Sequence, residues 1–527
     1  VKQEKVIRSA GVVGSFTTLS RALGLVRDVM MAGFFGTSLS MSAFVVAFTI
    51  PNLFRRLFGE GALSAAFVPV FVETRRNAGD RAAWEVARKV ITLVVLLLLC
   101  FVLAGELVVS LLPDIMALGA KNLLILRLLS IMLPYMLFIC LAALSMAILN
   151  SFGHFAVPAA SPCVLNIVWI VVALIFIPFM RGPLESKIVV VAWAILVAGV
   201  AQLLFQYPML RRFGYQPGLS FDFSDARVGR VLMLMGPAAV GMALTQFNVL
   251  VDRTLAAWIG TWAPAALYFS ERLIYFPLGI CGTALGTVLL PVFSRHAADG
   301  QFLTINSTIN QSLRTLLFLM APAAVGLGLL AYPIIESIYQ WREFTAESTW
   351  FTAVALQCYA PGLIVFSLSK VFVPAFFALQ DTKTPVRVGM VTVLANLLMN
   401  LLFILTLPLR YKHAGIALAT VLAETGYAVA LAVILQRRIG SPGWPRIFRS
   451  FGKVLLISGL MGVAVWFGAR WIPEWLATMG NLPEKFRQIA TVGGTILMAM
   501  PVYLALALIM RCEELHFLLS AMSRRAK

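Results

Sequence analysis

The sequence predicts an all-α polytopic membrane protein of about fourteen transmembrane helices. These are expected to form two six-helix lobes related by a pseudo-two-fold axis along the membrane normal, followed by two C-terminal helices. Three observations carry this reading. The 527 residues are 60% hydrophobic and 12% charged, with a mean hydropathy of +0.91, which is more apolar surface than a water-soluble core can use. The apolar residues come in runs of about 20, the length that crosses the hydrocarbon layer. Short strings of the first half also return, in order, in the second half.

In chain order the runs lie at 10–36, 42–73, 90–112, 123–149, 156–180, 188–208, 231–258, 265–293, 315–331, 351–379, 388–407, 414–436, 454–469 and 489–510. The first run soon meets Arg21, Arg27 and Asp28, so a cleavable signal peptide is not expected and the run is read as a retained span. Lys plus Arg is 42 against 23 Asp plus Glu, a net charge of +19. In a soluble chain that excess would suggest nucleic acid; here it points to loops facing anionic lipid, and nucleic acid is not an expected partner. Scored by side, about 25 cations fall on the face that holds both termini and about 9 on the other, which predicts cytoplasmic termini. The breaks at 74–89, 209–230, 294–314, 332–350 and 470–488 have the length of connecting loops, so no appended catalytic domain is expected. Cys100, Cys140, Cys163, Cys281, Cys358 and Cys512 show no metal-ligand spacing and read as structural thiols.

The repeat is specific in register. Ala62–Phe71 and Ala284–Phe293 agree at five of ten positions at an offset of 222, and Pro134 and Pro158 return as Pro361 and Pro385 at an offset of 227. Both offsets pair each span with the sixth one after it, which preserves helix direction and gives two parallel lobes around a central cavity, a geometry suited to alternating access. The expected division is 1–220, 221–440 and 441–527.

Eight cations fall within the runs: Arg21, Arg27, Arg55, Arg56, Arg127, Arg253, Arg272 and Lys370. A charge in hydrocarbon needs a partner or a water-filled cavity. Arg56 and Arg127 can be explained as helix-end or snorkelling residues. For Arg21, Arg27, Arg55 and Arg272 two readings stand: an internal salt-bridge set with Asp28, Glu60 and Glu271, or an anion site. Three acids against at least four arginines leave positive charge over, and guanidinium binds phosphate bidentately and stays charged when desolvated, so a pyrophosphate would suit it. A second polar group, Asp252, Asn396, Asn400 and Thr420, offers oxygen ligands for a small hard cation or simply hydrogen bonds between helices. His154, His296, His413 and His516 fall in loops or the tail, away from any paired acid, so hydrolytic or glycosyl-transfer chemistry is not expected.

The strings SRALGLVRD (20–28), AFTIPNLFRRLFGEGALSAAFVPVF (47–71), YFSERLIYFPLGICGTALGTVLLPVFSR (268–295) and QDTKTPV (380–386) resemble the MurJ (MviN) family of lipid II flippases, within the multidrug/oligosaccharidyl-lipid/polysaccharide exporter superfamily. The resemblance implies transport of the lipid-linked peptidoglycan precursor to the periplasmic leaflet of the bacterial inner membrane, with lipid II as substrate and cell-wall synthesis proteins as further partners. It implies cavity roles for Arg21, Arg27, Arg55 and Arg272, with Asp28 orienting guanidiniums for the pyrophosphate, and for the acidic Glu60. It also implies a sodium site at Asp252, Asn396, Asn400 and Thr420 with the carbonyl of Ile416; no other cofactor is expected. Two positions depart from the family pattern. Ser42 stands where some members have Asp, and Asn400 stands where the sodium site has a second carboxylate. Another polyprenyl-pyrophosphate-linked glycan would satisfy the same arginines.

Overall fold

A computed structural model describes residues 2–59, 62–480 and 482–525. Among these residues the chain is helical with no strand, as the sequence predicts. In order, the helices are α1 (Lys2–Phe35), α2 (Leu39–Phe54), α3 (Ala62–Ile115), α4 (Ala120–Met132), α5 (Tyr135–Ser151), α6 (Ala156–Ile175), α7 (Leu184–Arg212), α8 (Ala226–Ile259) and α9 (Ala263–Ala298). They continue as α10 (Phe302–Leu329), α11 (Ala331–Tyr339), α12 (Ala346–Tyr359), α13 (Gly362–Ala378), α14 (Lys383–Thr406), α15 (Lys412–Ile439), α16 (Trp444–Thr478), α17 (Glu484–Ile509) and α18 (Glu513–Arg525). By length and apolarity, eight helices among the described residues can cross a bilayer, or ten if each of two bent pairs is one span, against the fourteen expected. The other four expected spans coincide with α1, α2 running into α3, α8 and α9. Of the eight in-span cations, all but Arg127 and Lys370 lie on those elements.

The chain divides into two compact units, Val1–Ala265 and Ala266–Lys527. In the first, α6 packs on α1 and α7, α5 on α7, and α8 on α3. In the second, α10 packs on α13 and α16, α15 on α13 and α14, and α17 on α16. The breaks follow the sequence. Gly79 takes φ 83° and ψ 174°, splitting α3 into two helices across a kink, because a left-handed φ costs glycine nothing. The α4–α5 pair bends by 40° and the α12–α13 pair by 44°, with Pro134 and Pro361 at the two joints. Proline has no N–H to give the preceding turn and its ring clashes with that turn's carbonyl, so it breaks the ladder there. Pro158 and Pro385 both sit in the first turn of their helices, α6 and α14, where the missing N–H is not needed. Each unit thus carries the same proline-broken helix pair.

Neutral hydrogen bonds tie the helices of each unit. Buried Gln206 on α7 donates to the carbonyl of Ala142 on α5 at 3.1 Å, and Gln202 to that of Ser161 on α6 at 3.0 Å. Between them, Gly199 admits the ring of Tyr135: a Cβ there would stand 2.7 Å from Tyr135 Cδ2 and 3.3 Å from Phe138 Cβ. Gly199→Ala is therefore expected to cost about 1–3 kcal/mol. Gly326→Ala on α10, where nothing lies within 4 Å of the added atom, should leave stability unchanged or improve it. Thermal unfolding of the detergent-purified variants checks this; equal midpoints would refute the packing account.

The QDTKTPV string is explained as a turn. Asp381 accepts from the backbone N–H of Lys383 at 3.1 Å and of Thr384 at 2.9 Å, and pairs with Arg438 of α15. Gln380 before it takes a left-handed φ of 57°. Burial pushes the Asp381 carboxyl up, but the bonds from Thr384, the charge of Arg438 and the Lys383 N–H outweigh it and hold the pKa below the ordinary carboxylate value. A depressed folded pKa gives stability that is present above the unfolded value, about 4, and lost as pH falls through the folded one. The melting-temperature gap between wild type and Asp381→Asn should be open at neutral pH and close as pH drops below about 4; a gap independent of pH would contradict the ionised turn.

Candidate functional site

Arg27 and Asp28 of α1 are 8% and 3% exposed, so both charges are held inside the first unit. Arg27 donates from Nε at 3.0 Å and from Nη2 at 2.7 Å to the same Asp28 oxygen, Oδ1. Its Nη1 donates to Asn166 Oδ1 at 2.9 Å, and its guanidinium lies 4.5 Å over the Trp169 ring. Asn166 and Trp169 belong to α6, and the sequence reading did not find them: a neutral amide and an indole inside an apolar run carry no charge signal. The useful clue was their spacing, three apart on one helix face.

Arg21, also on α1, is half-buried and makes no hydrogen bond or ion pair among the described residues. Arg55 and Arg56 open a five-residue π-helical turn, Arg55–Gly59, which follows Pro51 of α2. Such turns widen a helix and turn side chains out of register. Arg55 Nε donates to Asn52 Oδ1 at 3.0 Å and Arg56 Nη1 to Gln246 Oε1 of α8 at 3.4 Å. Glu60 lies outside the described residues. Ser42, at the first departure from the family pattern, is buried and its hydroxyl accepts from the Ala265 N–H at 3.3 Å. Asp252 and Arg253 on α8 are both buried, and Arg253 Nη1 donates to the carbonyl of Pro264 at 3.1 Å.

In the second unit, Arg272 on α9 donates from Nη2 to Tyr268 Oη at 3.1 Å, with its guanidinium 4.6 Å over that ring. Its neighbour Glu271 accepts from the Tyr359 hydroxyl at 3.1 Å. Arg127 and Lys370 are exposed, as the snorkelling reading of Arg127 requires. Of the expected ion pairs among the in-span arginines, Arg27–Asp28 forms; the hydrogen-bond acceptors of Arg55, Arg56, Arg253 and Arg272 include neutral oxygens. A guanidinium held in part by neutral acceptors remains a cation able to meet an anion.

Asn396, Asn400 and Thr420 come together in the second unit. Asn400 Nδ2 donates to Asn396 Oδ1 at 2.8 Å, Asn396 Nδ2 to Thr420 Oγ1 at 3.4 Å, and Thr420 Oγ1 to the Ile416 carbonyl at 3.0 Å. That chain joins α14 to α15. These three groups are neutral, so Asp252 would be the one anionic ligand of the expected sodium site; Asn400 Oδ1 is a buried oxygen that accepts no hydrogen bond among the described residues. No group of three or more His, Cys, Asp or Glu that could hold a metal exists among the described residues. His413 departs from the loop placement expected for it: it is buried at the start of α15, hydrogen-bonded to the Phe351 carbonyl at 2.8 Å, which is a structural role.

The family described as "Lipid II flippase MurJ" matches residues 31–482. The chain belongs to the MurJ lipid II flippase family. Among MurJ relatives, a "Probable lipid II flippase MurJ" of Rhizobium tropici is 36% identical over 503 residues, covering 94% of this chain and 92% of its own. A "Lipid II flippase MurJ" of Burkholderia cenocepacia is 31% identical over 99% of this chain and 100% of its own. A solved structure of lipid II flippase MurJ in an inward closed conformation aligns with a TM-score of 0.74 at 24% identity, covering 94% of this chain and 98% of that one. An inward-facing MATE family transporter of the MOP superfamily shares the fold at a TM-score of 0.68 and 14% identity, covering 82% of this chain and 98% of that one. MurJ proteins are transporters, in keeping with the absence of an acid–base pair in the sequence reading.

For the polar chain on α14 and α15, sodium at equal ionic strength to potassium is expected to leave the unfolding midpoint of purified protein unchanged, whereas Asn400→Asp, which supplies a carboxylate, should make it rise with sodium. A sodium-specific rise in the wild type would show a competent cation site.

Proposed function

We infer that this chain is a lipid II flippase that carries the undecaprenyl-pyrophosphate-linked peptidoglycan precursor from the cytoplasmic to the periplasmic leaflet of the inner membrane. The observation that carries the reading is the set of arginines placed within the apolar spans, in a chain that belongs to the MurJ family. Guanidinium remains charged in an apolar surround, and its planar fork fits phosphate oxygens. Arg21, Arg27, Arg55 and Arg272 are the pyrophosphate ligands in this account, with Asp28 orienting Arg27 and Glu60 as an acidic residue of the second span. The polyprenyl tail stays in lipid beside the last spans while the head group crosses.

Alternating access supplies the movement. Closing around an empty cluster would desolvate surplus positive charge at a cost of several kcal/mol per charge, while bound pyrophosphate lowers that cost. Substrate therefore favours the closed passage, and the membrane potential acts on the same charges during the return. Both termini are cytoplasmic in this account, and cell-wall synthesis proteins are the partners that consume the delivered precursor.

The test is complementation of a wall-building cell depleted of its own flippase. Wild-type chain should restore growth, and Arg272→Ala should abolish rescue while the protein still inserts and accumulates in the membrane. A fully functional Arg272→Ala variant would remove the anion role. Rescue of a strain deficient in a different polyprenyl-linked glycan, without rescue of wall synthesis, would replace the substrate.

A further inference from the structure

The geometry around Arg27 extends the anion reading, on which it rests, to two residues of α6. A guanidinium has five N–H groups. Arg27 commits one on Nε and one on Nη2 to Asp28 Oδ1, and one on Nη1 to Asn166 Oδ1. Two N–H groups remain, one on each terminal nitrogen, as donors for phosphate oxygens.

Both partners on α6 are themselves fixed. Asn166 Nδ2 donates to the Ser20 carbonyl at 3.0 Å and to Ser20 Oγ at 3.4 Å, so one amide ties together two turns of α1 and takes up a prong of Arg27. Gly24, one turn from Ser20 on the same helix, places a bare backbone against Asn166: an added Cβ would rest 3.8 Å from its Nδ2. Trp169 is 1% exposed, donates from Nε1 to Met31 Sδ at 3.1 Å, and meets Phe44 and Phe48 edge-on with ring centroids 5.5 Å and 6.1 Å away. Its indole is a rigid face on which the guanidinium lies flat.

We propose that Asn166 and Trp169 are positioning residues for the pyrophosphate-binding Arg27: Trp169 fixes the plane of the guanidinium, and Asn166 holds one edge without neutralising it, so that two N–H groups stay aimed at substrate. Without them the side chain is free to swing onto Asp28 alone or toward the head-group region. A neutral amide is essential to this role. Aspartate has nearly the same shape and accepts a stronger bond, but it places a second carboxylate beside a guanidinium that already has one.

The test measures lipid II transport by full-length protein in vesicles over a range of lipid II content, together with the unfolding midpoint. Asn166→Asp and Trp169→Leu are each expected to raise the half-saturating lipid II content about tenfold, the worth of one charge-assisted hydrogen bond, with the saturated rate little changed; the unfolding midpoint should hold for Asn166→Asp and fall for Trp169→Leu, which leaves a cavity in a packed site. Trp169→Tyr, which keeps an aromatic face, should stay close to wild type. A lower midpoint and lower saturated rate with unchanged half-saturation would make the two residues merely structural and overturn the proposal. So would wild-type behaviour of both variants when Arg27→Ala is inactive, a result that leaves the anion reading standing. Full activity of Arg27→Ala would overturn the anion reading itself.

Discussion

An ionised side chain inside a membrane helix must find a partner that does not come from water, and Arg27 shows how this chain meets that condition. The guanidinium is held by a carboxylate on its own helix, an amide on α6 and the face of an indole on α6. The packing of α6 on α1 is therefore also the wall of a charge site. Elsewhere the partners of span arginines are an amide oxygen, a carbonyl or a phenol. Hydrogen bonds of that kind stabilise a cation inside the protein while it keeps its charge.

The neutral polar groups do a different job. Gln202, Gln206 and the Asn396–Asn400–Thr420 chain each join one helix to the next through short bonds. In hydrocarbon such groups have no water to return to, so each N–H donated to a neighbouring helix lowers the energy. The proline joints add shape to this framework. Pro134 and Pro361 bend corresponding helix pairs by 40° and 44°, so the weak internal repeat in the sequence corresponds to a repeated mechanical feature.

Charge and proline were the legible parts of the sequence, because each has a large local consequence. Arg27 and Asp28 could be singled out since lipid penalises them wherever they point, and Pro361 could be paired with Pro134 since a missing N–H acts in any context. Asn166 and Trp169 were invisible because their meaning depends on which helix packs opposite, information that no run of apolar residues contains. The span count was also less secure than the fold class. The four expected spans outside those eight to ten helices lie on the elements that carry six of the eight in-span cations.

The central claim is that span guanidiniums read the pyrophosphate of the substrate. Its most direct measurement compares binding of lipid II by purified protein in lipid nanodiscs with binding of the same glycan-peptide carried on a polyprenyl monophosphate. The account predicts clearly weaker binding of the monophosphate form in the wild type, and loss of that preference when Arg27 and Arg272 are both replaced by glutamine. Equal affinity of the wild type for the two lipids would contradict it.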